Sequence, residues 1–315
     1  MIRRENKQIG IADAFVRPSR ATAALDKVNK IINWEPLRQR MESFYSHSGA
    51  GRPAFPAVML LKAVLLQKWY NLSDPAAEEA IEDRQSFRRF MSLNLDEKGP
   101  DHSTLHRFRT RIEPIMSELL QMVNAQLDAR RLMVKQGTMV DATLVESAAS
   151  RPTPGKTSDH DPDAAWAKKR GKVCFGYKAH IGADQGSELI RQADLTEANV
   201  HDNKKFTAMI SGDEKIAYAD KGYSGAERSE WLTLQGIQDG IMFQGSKWRD
   251  FTLAELERNN SLSRVRKAVE HIFGTLKRIY QFRRCRYVGL RRNRSDLFAL
   301  CISYNLKRAV RLETI

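Results

Sequence analysis

The chain has 315 residues, 42% of them hydrophobic and 29% charged, which is typical of a soluble globular protein with about two domains. No apolar run reaches the ~18 residues of a membrane span, and the N-terminal residues contain no apolar signal core. Three widely separated cysteines, Cys174, Cys285 and Cys301, give no disulfide framework or zinc-site spacing, so we expect reduced thiols and a cytoplasmic location.

Positive charge is concentrated near the C-terminus. The 52 Lys and Arg residues exceed the 38 Asp and Glu residues, giving a net charge of +14. Residues 261–315 contain 14 of these bases and only 3 acids, a local excess of +11. This concentration favours a polyanionic partner, most simply nucleic acid, although a basic soluble surface also explains it.

The first half of the chain has helical periodicity. Residues 57–71 are strongly apolar, as a core helix should be, and Pro36 and Pro114 are expected breaks in the neighbouring helical stretches. Ser73 or Asp74 is an expected N-cap, with Pro75 in the first turn. We predict helices over 22–46, 57–71, 72–91 and 103–132, and a helical N-terminal domain over residues 1–135 with a role in DNA binding or assembly.

The pattern changes at residue 138, where β-branched and apolar runs begin. We predict strands at 138–147, within 175–197 as a hairpin, at 215–220 and at 240–244. Helices are expected at 204–211, 224–236, 261–280 and 294–312, and a polar surface loop at 148–174. This order predicts an α/β domain over residues 136–315, with a mixed sheet flanked by helices.

Three carboxylates stand out in the second half. Asp141 lies inside an apolar strand, Asp220 ends another, and Glu270 is the single acid of the basic helix 261–280. If the three converge, their mutual repulsion favours a divalent cation such as Mg²⁺, and two such ions can promote phosphodiester chemistry. Other acids are alternative members of such a cluster: Glu146, Asp184, Asp194 and Asp202.

Helix geometry places Glu270 between cations. At about 100° per residue, Arg266 and Lys277 lie within about 40° of Glu270 on the helix surface. This stripe suits a metal ligand beside a phosphate backbone. A solvated i, i+4 ion pair between Arg266 and Glu270 explains the same spacing.

Several segments together resemble a known family. MVDATLV, AYADKGYSG and RKAVEHIFGTLKR, preceded by LSDPAAEEAIEDRQSFRRFM and PDHSTLHRFR, are similar to motifs of the Asp-Asp-Glu (DDE) transposases of the insertion-sequence-5 type. DPDAAWAKKRGKVCFGYKAH and LTEANVHDN resemble further signatures. The likeness spans roughly residues 25–310, and five ordered motifs are far more specific than one.

The resemblance implies a ribonuclease-H-like catalytic domain. It implies Asp141, Asp220 and Glu270 as catalytic residues and ligands of two Mg²⁺ ions, for which Mn²⁺ can substitute. The family's signature Tyr-x2-Arg-x3-Glu-x6-Lys is matched by Arg266, Glu270 and Lys277, but Ser263 stands at the tyrosine position. The resemblance also implies DNA contacts for Arg266 and Lys277.

The implied function is metal-dependent cleavage at transposon ends followed by strand transfer into target DNA. The implied partners are terminal inverted repeats and target DNA, bound by a homodimer or higher oligomer in the bacterial nucleoid. Two alternatives stay open: an inactive or domesticated DNA-binding protein, and a nuclease of the same fold without strand transfer.

Further basic residues are candidate DNA contacts. Arg107 and Arg109 lie on a helix at 101–112, where a solvated basic face is the alternative. Lys178, near His180, is equally well explained by strand alternation, and the His201–Asp202 pair is structural or catalytic. The arginines before and within the last helix are expected phosphate contacts: Arg283, Arg284, Arg286, Arg291, Arg292 and Arg294.

Overall fold

The computed structural model describes residues 20–45, 53–94, 96–169, 171–245 and 250–313. The chain divides into two compact units. One comprises residues up to Arg130 together with the stretch from Asn305 onward, and the other comprises Arg131–Tyr304. In the described ranges, no helix combines the length and apolar character that a membrane crossing requires.

The first unit is helical, as the sequence predicts. Its central helix is buried on nearly every side because its sequence, AVMLLKAVLLQKWY, is apolar all round. Even Lys62 is buried there, with its ammonium 5.0 Å from the ring centroid of Trp34. The helices are α1 Arg20–Ile31, α2 Trp34–Glu42, α3 Ala57–Tyr70, α4 Asp74–Asp83, α5 Gln85–Met91, α6 His102–Ile112 and α7 Met116–Ala129.

Capping residues fix where these helices begin. Ser73 caps α4 by accepting from the Ala76 N–H at 3.2 Å, and Asp101 caps α6 by accepting from the Thr104 N–H at 2.6 Å. The predicted break in the stretch 22–46 is confirmed, but it lies before Pro36: α1 ends at Ile31, and Pro36 lies in the first turn of α2, where proline is tolerated. The break near Pro114 is confirmed.

The second unit contains one mixed sheet flanked by helices, which confirms the predicted fold class. Strand β1 is central, with β3 antiparallel on one side and β5 parallel on the other. β4 pairs antiparallel with β3, and β6 pairs parallel with β5. The strands are β1 Gly137–Glu146, β2 Ala165–Lys169, β3 Lys172–Asp184, β4 Ile190–Glu197, β5 Ile216–Ala219 and β6 Gln238–Ile241.

In the described part of this unit there are also three α-helices, two long and one short. They are α8 Ala226–Leu234, α9 Leu253–Arg278 and α10 Leu290–Leu312, and α10 extends into the residues grouped with the first unit. α9 packs on β1 and β5, whereas α8 packs on β6. Thr252 and Glu255 form a capping box that fixes the start of α9.

The sequence-based prediction of a surface loop over 148–174 is partly wrong. Residues 165–169 form β2, which pairs with the beginning of β3. Trp166 packs against Phe175 in a tilted arrangement with ring centroids 5.2 Å apart, and this packing stabilises the hairpin. Asp161, in the same segment, is fully buried and accepts from the Tyr177 hydroxyl at 2.5 Å and the Gly289 N–H at 3.1 Å. The segment is therefore anchored to the sheet.

Candidate active site

Asp141 and Asp220 come together because of the parallel pairing of β1 and β5. Val140 is paired with Ala219, so the two aspartates are the next residues of adjacent strands. This position is the carboxyl end of β5, where open α/β sheets bind ligands. The Asp141 Oδ1 accepts from the Ala142 N–H at 2.8 Å, and the Asp220 Oδ1 accepts from the Gly222 N–H at 3.1 Å.

The second oxygen of each aspartate faces Arg266 of α9. The Arg266 Nη2 lies 3.8 Å from the Asp141 Oδ2 and 4.0 Å from the Asp220 Oδ2. The side chains of Arg266 and Asp141 are 9% and 16% exposed, whereas that of Asp220 is 39% exposed. The pair of acids therefore has a buried side, closed by Arg266, and a side open to solvent at Asp220.

Tyr223 belongs to this site, although sequence reasoning did not single it out. Its hydroxyl is buried and has no hydrogen-bond partner. Burial raises its pKa well above the ordinary value, and the nearby carboxylates of Asp141, Asp202 and Asp220 raise it further. The hydroxyl is therefore a protonated donor close to the acids. The signal available in the sequence was its position in DKGY, three residues after Asp220.

Glu270 is not brought into the same cluster. It is exposed on α9, one turn beyond the buried Arg266. Among the residues that the structure describes, no three Asp, Glu, His or Cys side chains lie close enough to hold a metal ion. The structure thus brings together two of the three predicted acids.

Lys178 and Asp202 form an ion pair beside the sheet. The Lys178 Nζ is 2.6 Å from the Asp202 Oδ1 and donates to the Val200 carbonyl at 2.6 Å. His180, two residues along β3, is fully buried next to the Thr196 hydroxyl at 3.0 Å. Burial lowers the pKa of His180 to about 4, so its imidazole is neutral at pH 7. In this structure Lys178 faces protein groups, and its contact with DNA stays a prediction.

The alternative acids have other partners. Asp184 is buried and accepts from backbone N–H groups of Lys135 and Ser187, both at 2.8 Å. Asp194 pairs with Lys205 and Arg294, at 2.8 and 2.9 Å. Glu146 pairs with Arg151 at 2.6 Å. These contacts favour Asp141 and Asp220 as the site's carboxylates.

The basic residues predicted to touch DNA fall into two groups. Arg283, Arg291 and Arg292 are exposed. Arg284 is exposed too, but its Nε donates to the Ser147 carbonyl at 2.9 Å, and the Nζ of the half-buried Lys277 donates to the Leu144 carbonyl at 3.0 Å. The second group therefore anchors α9 and the segment after it to the end of β1.

The helical unit shows a similar division. Arg107 is exposed on α6, with its Nη2 3.1 Å from the Ser103 hydroxyl. Arg109 instead donates to Gln67 at 2.8 Å and pairs with Asp74. Arg109 therefore connects α6 to α3 and α4, and its contact with DNA stays a prediction.

The residues around Asp141 and Asp220 fit a divalent cation. Two carboxylates at one sheet edge supply the oxygen ligands that Mg²⁺ prefers, and their mutual repulsion is relieved by positive charge. Arg266 shows that this position already attracts a cation. The partnerless hydroxyl of Tyr223 is a further polar group available at the site.

Comparison with known proteins identifies the class. Residues 133–306 match the sequence model of the family described as the transposase DDE domain, and residues 13–111 match the transposase domain DUF772. The chain belongs to the DDE transposase family, whose members cleave DNA and transfer its strands. The two domains in this order are typical of the insertion-sequence-5 type, which confirms the resemblance noted in the sequence. Membership also implies dependence on a divalent metal.

Two solved structures are distantly similar. A piggyBac transposase synaptic complex with hairpin DNA is 8% identical, with a TM-score of 0.45, over 93% of this chain and 74% of that one. A pre-cleavage Mos1 transpososome is 8% identical, with a TM-score of 0.19, over 95% of this chain and 98% of that one. Both scores are low, so the family assignment rests on the sequence models.

Proposed function

We propose that Asp141 and Asp220, completed by Glu270, hold the two Mg²⁺ ions with which this transposase acts on DNA, and that Mn²⁺ can replace them. The observation that carries the proposal is the convergence of both aspartate Oδ2 atoms on Arg266 Nη2. Glu270 enters through its place in the family signature, one helical turn from Arg266.

The bound metals would activate the attacking oxygen and stabilise charge on the leaving oxygen of a phosphodiester. The chain's own residues position these groups. β1 and the Ala142 N–H orient Asp141, whereas the more exposed Asp220 lies on the side that a DNA strand can approach. The Lys277 contact with the Leu144 carbonyl holds α9 against β1 near the acids.

The proposed substrates are the terminal inverted repeats of a transposon and a target duplex. The exposed Arg283, Arg291 and Arg292 supply sequence-independent phosphate contacts, and Arg107 supplies a contact from the helical unit. Handling two ends together requires at least a homodimer on DNA. We place this activity in the bacterial cytoplasm, on nucleoid DNA, and crosslinking followed by DNA precipitation tests that location.

The proposed site is tested by strand cleavage. Asp220→Asn keeps the size of the side chain but removes its charge. We expect this variant to lose cleavage of an end-containing duplex in Mg²⁺ by a factor of about 10³ or more, because the metals would lose a ligand. Glu270→Gln should lose activity similarly. Glu257→Gln, at another exposed position of α9, is the matched control. Undiminished cleavage by Asp220→Asn would refute the assignment.

A further inference from the structure

Arg266 stands between the two aspartates without a hydrogen bond to either. Its Nη2 is 3.8 and 4.0 Å from their Oδ2 atoms. Hydrogen-bonded guanidinium–carboxylate pairs have N···O distances of about 2.7–2.9 Å, so both contacts are ionic. The Arg266 Nη1 lies 3.5 Å from the Met242 sulfur, a weak acceptor, and the buried Nε has no hydrogen-bond partner. Charge attraction therefore holds the guanidinium there.

A guanidinium held only by ionic contacts can be replaced by another cation. The guanidinium carries one positive charge and makes only ionic contacts with the two aspartates, whereas a divalent ion carries two charges and binds carboxylate oxygens directly. The guanidinium and a metal ion at the same oxygens would repel each other. Entry of a metal therefore favours movement of Arg266 away from the acids.

We propose that Arg266 is an exchangeable internal cation, which pairs with Asp141 and Asp220 in the free protein and moves to a DNA phosphate when a divalent metal binds. The proposal rests on the proposed function, since it takes both aspartates as metal ligands. Phosphate is the suitable new partner because the planar guanidinium fork binds carboxylate and phosphate groups alike.

Movement of Arg266 would couple the binding of metal to the binding of DNA. A phosphate that draws Arg266 away vacates the aspartate oxygens, so DNA raises the affinity for metal. By thermodynamic reciprocity, metal raises the affinity for DNA by the same factor. The free protein would bind metal weakly, and the complete site would form on DNA.

The experiment measures Mn²⁺ binding to the full chain by electron paramagnetic resonance, with and without a mixed-sequence DNA duplex. The variant is Arg266→Met, which keeps an apolar stem but removes the charge. The control is Lys267→Met, which removes the same charge from the exposed neighbouring position. Arg266→Gln is a second variant in case the first does not fold, as judged by circular dichroism.

We expect Arg266→Met to bind Mn²⁺ roughly tenfold tighter than the wild type without DNA, a typical size for coupled sites. DNA should then tighten Mn²⁺ binding by the wild type and by Lys267→Met, but not by Arg266→Met. Unchanged or weaker Mn²⁺ binding by the folded Arg266 variants would overturn the proposal. Asp141→Asn distinguishes failure of the proposed function from failure of the exchange. If this variant keeps Mn²⁺ binding, the proposed function fails. If it loses Mn²⁺ binding while Arg266→Met gains none, only the exchange of Arg266 fails.

Discussion

Asp141 and Asp220 each accept a nearby backbone N–H through Oδ1 and turn Oδ2 toward the same nitrogen of Arg266. The local bonds restrict the rotation of both carboxylates, so their Oδ2 atoms converge on one position before any ligand arrives. Preorganisation of this kind lowers the reorganisation that metal and substrate binding require. The convergence of the two carboxylates follows from the parallel pairing of β1 and β5, which places both residues at one sheet edge.

The Tyr223 hydroxyl should reduce the stability of the folded protein. A buried hydroxyl without a partner costs about 1–3 kcal/mol, so Tyr223→Phe should raise the free energy of unfolding or leave it unchanged. The ring keeps its packing against Phe206, at 5.8 Å between centroids. Urea denaturation provides the measurement.

Tyr177→Phe is the matched comparison for this prediction. Tyr177 is equally buried, but its hydroxyl donates to Asp161 at 2.5 Å. Removing that donor should lower the free energy of unfolding by about 1–3 kcal/mol. Equal losses of stability in the two variants would show that the Tyr223 hydroxyl is bonded after all.

His180 should make the protein sensitive to acid. Burial lowers its pKa to about 4 from the ordinary 6.5, so between these values the unfolded chain binds a proton that the folded protein does not. The free energy of unfolding therefore falls as the pH falls through this window. His180→Asn should remove about 2 kcal/mol of the loss between about pH 7 and pH 4.5. The exposed His201→Asn is the control, and equal pH profiles of wild type and His180→Asn would contradict the prediction.

The Lys178–Asp202 pair should be strongly coupled. Its side chains are 11% and 23% exposed, so removing one partner leaves a charge poorly solvated. A double-mutant cycle of Lys178→Met and Asp202→Asn should give a coupling energy of about 2 kcal/mol or more. The same cycle at the exposed Arg151–Glu146 pair should give about 0–1 kcal/mol. Similar values for the two pairs would argue against a structural role for Lys178.

The exposed arginines should account for salt-dependent DNA binding. Replacing Arg291 and Arg292 by Gln should reduce the slope of log K against log salt by about 0.9 for each phosphate that the variant no longer neutralises. Arg284→Gln should lower the free energy of unfolding and change this slope little, because the Arg284 guanidinium donates to the Ser147 carbonyl. Filter binding over a range of salt concentrations measures the slope, and an unchanged slope in the double variant would count against both arginines as phosphate ligands.

The sequence was sufficient to predict that the two aspartates lie at one sheet edge, but not that Arg266 is buried beside them. An acid inside one apolar strand and another at the end of a second strand indicate a functional edge, and the structure places both there. What the sequence does not show is how deeply each residue of α9 is buried against the sheet. Its polar stripe follows the boundary between the buried and solvent faces, so Arg266 is buried, Lys277 is half-buried and Glu270 is exposed.

Helix geometry alone could have shown that the two arginines of α6 do not share one face. Arg107 and Arg109 are two residues apart, which is about 200° around a helix, so they face nearly opposite sides. Arg109 accordingly reaches Asp74, whereas Arg107 remains exposed. Proximity in sequence does not make such residues members of one DNA-contacting face.

The location of bound metal tests the central claim most directly. Crystals of the wild-type chain with Mn²⁺ and a DNA duplex should show an anomalous scattering peak in contact with the Oδ2 atoms of both Asp141 and Asp220, with Arg266 displaced toward phosphate. A Mn²⁺ ion bound by other acids, with Arg266 still between the two aspartates, would contradict the account.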